Sequence, residues 1–305
     1  MAKAFWTATW MLLCWMAARV EAAPPVTVFE TTSAYHNIIV YDQDGIRVLS
    51  FDGSMETKMS LRYPLRGHFE YTEFFHVPWI WNNQMTNILM IGLGGGSTQR
   101  SYSHYYPYLT VETVEIDPMV VQVASNYFHF KESPRQKVHV SDGRVFLRRT
   151  EKIYGAILMD AYVENRYGSS IPYHLATKEF FELAARHLPT NGVLCYNIIG
   201  TMDGWKADLV GAIYTTLKTV FPQVYFFPAR ESRNVVVVAT RSPEPMVSAT
   251  LYARATALIN SRRITLDTFR NRLYSFRTAP PANHLRSPLL TDDFAPVDGL
   301  LRVGE

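Results

Sequence analysis

The sequence predicts an α/β fold: an open, mostly parallel sheet flanked by helices and preceded by a small antiparallel β-domain. Three observations carry this. From residue 87 onward, short apolar runs alternate with stretches of helical character, the rhythm of parallel strands whose crossovers are helices. Before residue 66 the runs are joined by short Gly-bearing turns, which suit hairpins. Near residue 230, two apolar runs are separated only by "RESR", too short a link for a parallel crossover.

Taken in order, residues 4–18 ("AFWTATWMLLCWMAA") carry no charge, follow Lys3, and precede the small-residue stretch "VEA" at 20–22. This reads as a secretory signal peptide over residues 1–22. The expected location is therefore periplasmic or secreted, or cytoplasmic if the segment is not a true signal; an uncleaved anchor is the other reading. Cys14 follows Leu13, which does not suit a lipid anchor. No later run reaches the ~20 apolar residues of a spanning helix, so no transmembrane domain is expected in the mature chain.

Residues 26–66 form the expected β-domain, with "NIIVYD", "IRVLSF" and "METKMSL" as successive antiparallel strands. Phe69, Phe74 and Val77 recur at helical spacing, which predicts a helix over 67–80. "NILMIG", "TVETVEID", "KVHVS", "GAILMDA" and "GVLCYNII" then read as five parallel strands, with helices at 97–106, 118–128, 143–149 and 177–188. "QVYFFPA" and "NVVVVAT" close the domain at about residue 245 as an antiparallel pair. Five parallel strands followed by such a pair is the pattern of the class I methyltransferase-type Rossmann sheet. The last segment, 246–305, predicts one helix (248–262) and a Pro-rich, weakly structured tail.

The composition excludes several classes. The chain has 305 residues, 48% apolar and 19% charged, with formal net charge +3; it is globular. Charges of both signs are interspersed with no basic stripe, so nucleic acid is not an expected partner. Nine histidines show no metal-ligand spacing, and no metal is expected. The cysteines are Cys14 and Cys195; once the first leaves with a signal, no intrachain disulfide is possible. Cys195, within a buried-looking strand, reads as a small core residue. The aromatic cluster "YSHYYPY" (102–108) reads as helix surface and packing.

Four features fall at the ends of predicted parallel strands, where open α/β sheets bind ligands: Gly92, Gly94 and Gly96 after the first, Glu115 and Asp117 after the second, Asp142 and Gly143 after the third, and Asp160 after the fourth. Singly, each has a structural reading, since a glycine turn can be only a turn and an Asp after a strand is often a helix cap. A nicotinamide dinucleotide loop is the rival for the first, but Ser97 stands where its third glycine falls. An acid after the second strand is placed to accept from ribose hydroxyls, and one after the third to accept from an adenine amino group. The set favours an adenosyl sulfonium ligand over a dinucleotide.

The sequence resembles the spermidine synthase (polyamine aminopropyltransferase) family over about residues 30–240. "SAYHNIIVYD", "VLSFDG", the Tyr-x-Glu motif of "FEYTEFFHVPWI", "VEIDP", "SDGRVFL" and "LMDAY" resemble its motifs in order, and "IPYHLATKEFF" looks like the subgroup fused to membrane domains in bacteria. The resemblance implies that Glu115 binds ribose and Asp142 adenine, that Asp160 is the general base, and that Tyr71 orients the attacking amine. It implies decarboxylated S-adenosylmethionine as donor, a small-molecule amine as acceptor, and a second copy of the chain as an expected partner.

The departures lie on the amine side. The family's glycine-loop Asp is Gly95 here, its second catalytic-loop Asp is Val163, the Gln of the Tyr-x-Glu motif is Thr72, and two further glutamines are His36 and Glu56. Two other functions therefore stay open: a methyltransferase using intact S-adenosylmethionine, suggested by Gly95, and an exported adenosyl-ligand binding protein with little catalysis. His174, after Asp160, reads as structural, with a site-facing role as its alternative.

Overall fold

A computed structural model describes residues 23–165, 168–204 and 208–300; the signal-like segment 1–22 lies outside the described residues. Four antiparallel strands open the fold: β1 (Val26–Thr32), β2 (Asn37–Gln43), β3 (Ile46–Phe51) and β4 (Ser54–Ser60), in the order β1-β2-β3-β4. The turns are tight because Asp44 and Gly45, then Asp52 and Gly53, take positive φ, the conformation two-residue hairpin loops require. Register slips once between β3 and β4: Leu49 faces Thr57 and Ser50 faces Met55, leaving Glu56 as the extra, bulged residue.

The second sheet has seven strands in the order β12-β13-β11-β8-β5-β6-β7. Its parallel members are β5 (Asn87–Ile91), β6 (Thr110–Glu115), β7 (Gln136–Val140), β8 (Ala156–Met159) and β11 (Val193–Ile199). All five runs expected to be parallel are so. β13 (Asn234–Thr240) is antiparallel to both β11 and β12 (Gln223–Pro228), so it is the one reversed strand of the sheet. Among the described residues, this is the methyltransferase-type arrangement. Between the strands run α1 (Ser97–Tyr105), α2 (Pro118–Tyr127), α3 (Gly143–Arg149), α4 (Lys178–Arg186) and α5 (Asp208–Lys218). The last of these has no counterpart among the helices expected from sequence. A short hairpin, β9 (Val163–Asn165) with β10 (Gly168–Ser170), follows β8. Cys195 is buried in the core, as expected.

Two expectations are corrected. Residues 67–80 do not form an amphipathic α-helix. A 3₁₀ helix spans Glu70–Ile80, every residue of it is buried, and it contains Pro78. Pro78 supplies no N–H and crowds the carbonyl four residues back, which disfavours α-helical geometry. The tail is not weakly structured. After α6 (Ser248–Asn260), Ile264, Leu266, Phe269, Leu273 and Phe276 join the core that holds the 3₁₀ helix, and Leu290 and Val297 join the core on the other face. These contributions come from single turns and isolated residues, which leave no periodic signal.

Candidate active site

One cavity lies at the carboxyl ends of β5, β6, β7 and β8, closed on one side by the β-domain. It is lined by Gly92, Gly94, Glu115, Asp142, Gly143, Asp160 and Tyr71, seven of the nine residues expected from sequence. The positions of the amine-side departures, His36, Glu56, Thr72 and Val163, line it too.

The strand ends are brought together by backbone geometry. Gly92 has φ +101°, and a Cβ there would stand 2.1 Å from the Asp160 carbonyl oxygen, so only glycine lets β5 and β8 approach this closely. The Glu115 carboxylate accepts from the backbone N–H of Leu93 at 2.9 Å and of Asp117 at 3.0 Å. Each oxygen keeps a second lone pair, so Glu115 holds the glycine loop while still able to accept from a ligand hydroxyl. Burial raises its pKa, against the opposing pull of these N–H groups.

Asp142 caps α3 by accepting from Val145 N–H at 2.8 Å, and its other oxygen lies 2.7 Å from His174 Nε2. The bond with His174 is the main reason its carboxyl sits below the usual range. His174 thus faces the cavity; the site-facing reading of this residue, not the structural one, describes it. Gly143 keeps α3 close to β5, since a Cβ would meet Ile91 at 2.5 Å.

Asp160 is the centre of a hydrogen-bond chain. The Tyr71 hydroxyl donates to it at 3.2 Å and Asn197 Nδ2 at 2.9 Å; Asn234 in turn donates to Asn197 Oδ1 at 3.0 Å, and the Tyr162 hydroxyl to the Asn197 carbonyl at 2.8 Å. Burial pushes the Asp160 carboxyl up to about 6, against the lowering effect of Asn197 and Tyr71. A base with a pKa near the working pH is suited to accept a proton from an attacking amine. Asn197 was missed from sequence, though a lone amide inside the apolar strand "VLCYNII" was the available signal, because a buried polar group needs a partner.

Tyr71 is fixed from behind. Its neighbours Glu70 and Glu73 both bind Arg272 from the C-terminal segment, at 2.7 and 2.5 Å. Glu70 also accepts from the backbone N–H groups of Arg230 and Glu231.

Two expected ligand residues do not line the cavity. Asp117 is buried, caps α2 by accepting from Met119 N–H at 2.8 Å, and accepts from the Ser33 hydroxyl of the β-domain. Its role is to tie the two sheets together. Gly96, with φ +72°, starts α1 and packs toward Phe130. Gly95 is occupied by protein in another way: its N–H donates to Thr57 Oγ1 at 2.9 Å, and a Cβ would meet Thr57 Cγ2 at 2.6 Å and the Phe128 ring at 3.0 Å. Thr57 fills the space an acid at 95 would need. Among the described residues, no group of three or more His, Cys, Asp or Glu is placed to hold a metal ion, and no helix is long and apolar enough to cross a membrane.

This fold and cavity define an α/β protein with a methyltransferase-type sheet and an acid-lined cleft at the carboxyl ends of its parallel strands. The comparisons with known proteins are more specific. The Spermine/spermidine synthase domain matches residues 68–239, more than half of the chain. A polyamine aminopropyltransferase of Vibrio vulnificus is 31% identical over 94% of this chain and 95% of its own length. The chain belongs to the spermine/spermidine synthase family. It is also 33% identical to the eEF1A lysine and N-terminal methyltransferase of Xenopus laevis, over 53% of this chain but 24% of that protein. In fold it matches the spermidine synthase of Thermotoga maritima, with TM-score 0.65 and 19% identity over 83% of this chain and 85% of that one. Human methyltransferase-like protein 13 in complex with SAH gives TM-score 0.58 and 24% identity over 64% of this chain and 93% of that one.

Proposed function

We propose that the protein transfers an aminopropyl group from decarboxylated S-adenosylmethionine to a small-molecule amine. The observation that carries this reading is the charge of the cavity. Glu56, Glu115, Asp142 and Asp160 line it, and among the described residues no lysine or arginine does. The decarboxylated donor brings a sulfonium and an ammonium with no anion. The intact donor would bring its carboxylate among these acids. Gly95, which by itself suggested tolerance of the intact donor, is backed by Thr57, so its lack of a side chain opens no room for that carboxylate.

In this reading the adenosine lies over the glycine loop, its ribose toward Glu115 and its base toward Asp142. Tyr71 donates to Asp160 and holds it facing the acceptor. Asp160, ionised above about pH 6, binds the acceptor ammonium and takes its proton. The freed nitrogen lone pair attacks the donor carbon beside sulfur; the C–N bond forms as the C–S bond breaks. The bonding pair passes to sulfur, which leaves as neutral methylthioadenosine. A positive leaving group asks the protein mainly for alignment.

Methyl transfer from intact S-adenosylmethionine is the second reading, favoured by the similarity to the Xenopus methyltransferase. Calorimetry with both donors, methylthioadenosine and S-adenosylhomocysteine separates them. The proposal expects the decarboxylated donor and methylthioadenosine to bind more tightly than their carboxylate-bearing counterparts; the reverse order favours methyl transfer.

A further inference from the structure

We propose that Asn234 is a positioning residue for the transfer reaction: it sets which way round the Asn197 side-chain amide stands, and so keeps an N–H rather than an oxygen on the Asp160 carboxylate. This rests on the reading of Asp160 as the group that takes the acceptor's proton, and deepens it.

Three neighbouring strands each bring one polar side chain to the same edge of the sheet. The parallel strands β8 and β11 deliver residues at their carboxyl ends. The last pair in their register is Tyr196 with Met159, so one step further Asp160 stands beside Asn197. β13 runs the other way, and its first residue, Asn234, is the one that reaches this edge. Val236 is opposite Asn197 in the β11–β13 register. Asn234, two residues before Val236, lies on the same face. The reversed strand is therefore what completes the row Asp160, Asn197, Asn234.

The row has a direction. An ionised carboxylate only accepts hydrogen bonds, whereas an Asn side chain accepts through its oxygen and donates through its nitrogen. Asn197 Nδ2 donates to Asp160 at 2.9 Å, and Asn234 Nδ2 donates to the Asn197 Oδ1 at 3.0 Å. Asn197 is 1% exposed, so both ends of its amide need partners within the protein. Turned by 180°, it would set its oxygen against the carboxylate and its N–H against the N–H of Asn234, a mismatch at each end. While Asn234 presents a donor, one orientation alone is satisfied at both ends. Asn234 itself is half-buried and lines a separate open cleft, not the substrate cavity, so it reaches Asp160 through Asn197. The other titratable groups around Asp160 are the Tyr71 and Tyr162 phenols and the Cys195 thiol, each held neutral by burial. Glu56, Glu115, Asp142, His36 and His174 share the cavity.

The test is Asn234→Asp, which replaces the donor by an acceptor of the same shape. Asn197 should then turn its N–H groups to the new carboxylate and its oxygen to Asp160, which holds its proton more tightly. The acidic limb of kcat/KM, with decarboxylated S-adenosylmethionine and a diamine, should move up by about one pH unit, the worth of one hydrogen bond to a charged group. All the neighbouring titratable groups are common to both proteins, so the difference reports the amide and the new charge. The charge is separated by making the same substitution in an Asn197→Leu background, where no amide is left to turn; there it should add much less. Equal shifts in the two backgrounds, or no shift with Asn197 present, would overturn the proposal. Methylthioadenosine affinity, read by calorimetry, should stay unchanged and so report a folded pocket. If Asn234→Asp fails to bind it, Asn234→Ala decides, because it removes the donor without adding a charge: a raised limb supports the proposal and an unmoved limb overturns it. Failure of the parent reading has its own signature, an Asp160→Asn variant that keeps the wild-type rate, in which case the inference falls with it.

Discussion

The Tyr71 hydroxyl donates to a carboxylate oxygen of Asp160 at 3.2 Å, across 89 positions of sequence. The contact joins the buried 3₁₀ helix to the end of β8 and fixes where the Asp160 carboxylate points. A hydrogen bond to the ionised form favours ionisation, so Tyr71 works against the burial that raises the Asp160 pKa to about 6. Tyr71→Phe should therefore move the acidic limb of kcat/KM to higher pH and lower kcat by roughly tenfold or more. A limb that moves to lower pH in the variant would contradict this arrangement.

Asp160 also has a stability signature. Its folded pKa is raised above the ordinary 3.8, so the folded state holds the proton more tightly than the unfolded chain. Stability from this group is full below pH 3.8 and is lost as pH rises toward 6. Asp160→Asn, which cannot ionise, should melt at or above wild type at pH 7.5, by up to roughly 2–3 kcal/mol. At pH 4 the difference should shrink. A variant clearly less stable at pH 7.5 would mean that Asp160 serves mainly as a loop cap.

Glu115 and Asp117 stand two residues apart, yet their substitutions should separate. Glu115→Ala removes the acceptor for Leu93 and Asp117 N–H and a cavity carboxylate. It should weaken methylthioadenosine binding by ~1.5–3 kcal/mol and lower the melting temperature. Asp117→Asn, outside the cavity, should lower the melting temperature and leave that affinity unchanged. Calorimetry and melts on both variants check the pair; an affinity loss confined to Asp117→Asn would move the ligand to the other residue.

Arg272 supports Tyr71 through Glu70 and Glu73. Arg272→Met leaves two buried carboxylates without their cation and should cost about 3–5 kcal/mol. Burial raises the Glu73 pKa, but its hydrogen bonds to His68 and Arg272 outweigh this and bring it down to about 2. A depressed pKa contributes stability above about pH 4.5 that is lost as pH falls through 2. The gap between wild type and variant should therefore be widest near neutral pH and narrow in acid, as read by denaturant unfolding at several pH values.

Much of the site was legible because its residues sit at strand ends, and strand ends are marked by sudden changes from apolar to Gly or acid. Glu115, Asp142 and Asp160 were each found this way. Asp117 looked the same in sequence because a helix cap and a ligand acid follow a strand with the same residue type; only its hydrogen bonds to Met119 and Ser33 separate the two uses. Asn197 was hidden inside an apolar strand. Arg272 was out of reach because it meets Glu70 from 202 positions away, and no local pattern records such a contact. The bulge at Glu56 left no signal either, since it is a matter of register rather than of residue type.

The central claim is that Asp160 accepts the proton of an attacking amine. It is tested most directly by the transfer rate of Asp160→Asn with decarboxylated S-adenosylmethionine and a diamine, measured at pH 7.5 beside wild type. The variant keeps the shape of the side chain and loses the base. The account predicts a loss of at least ~100-fold in rate with methylthioadenosine affinity unchanged. An Asp160→Asn enzyme that turns over at the wild-type rate would contradict it.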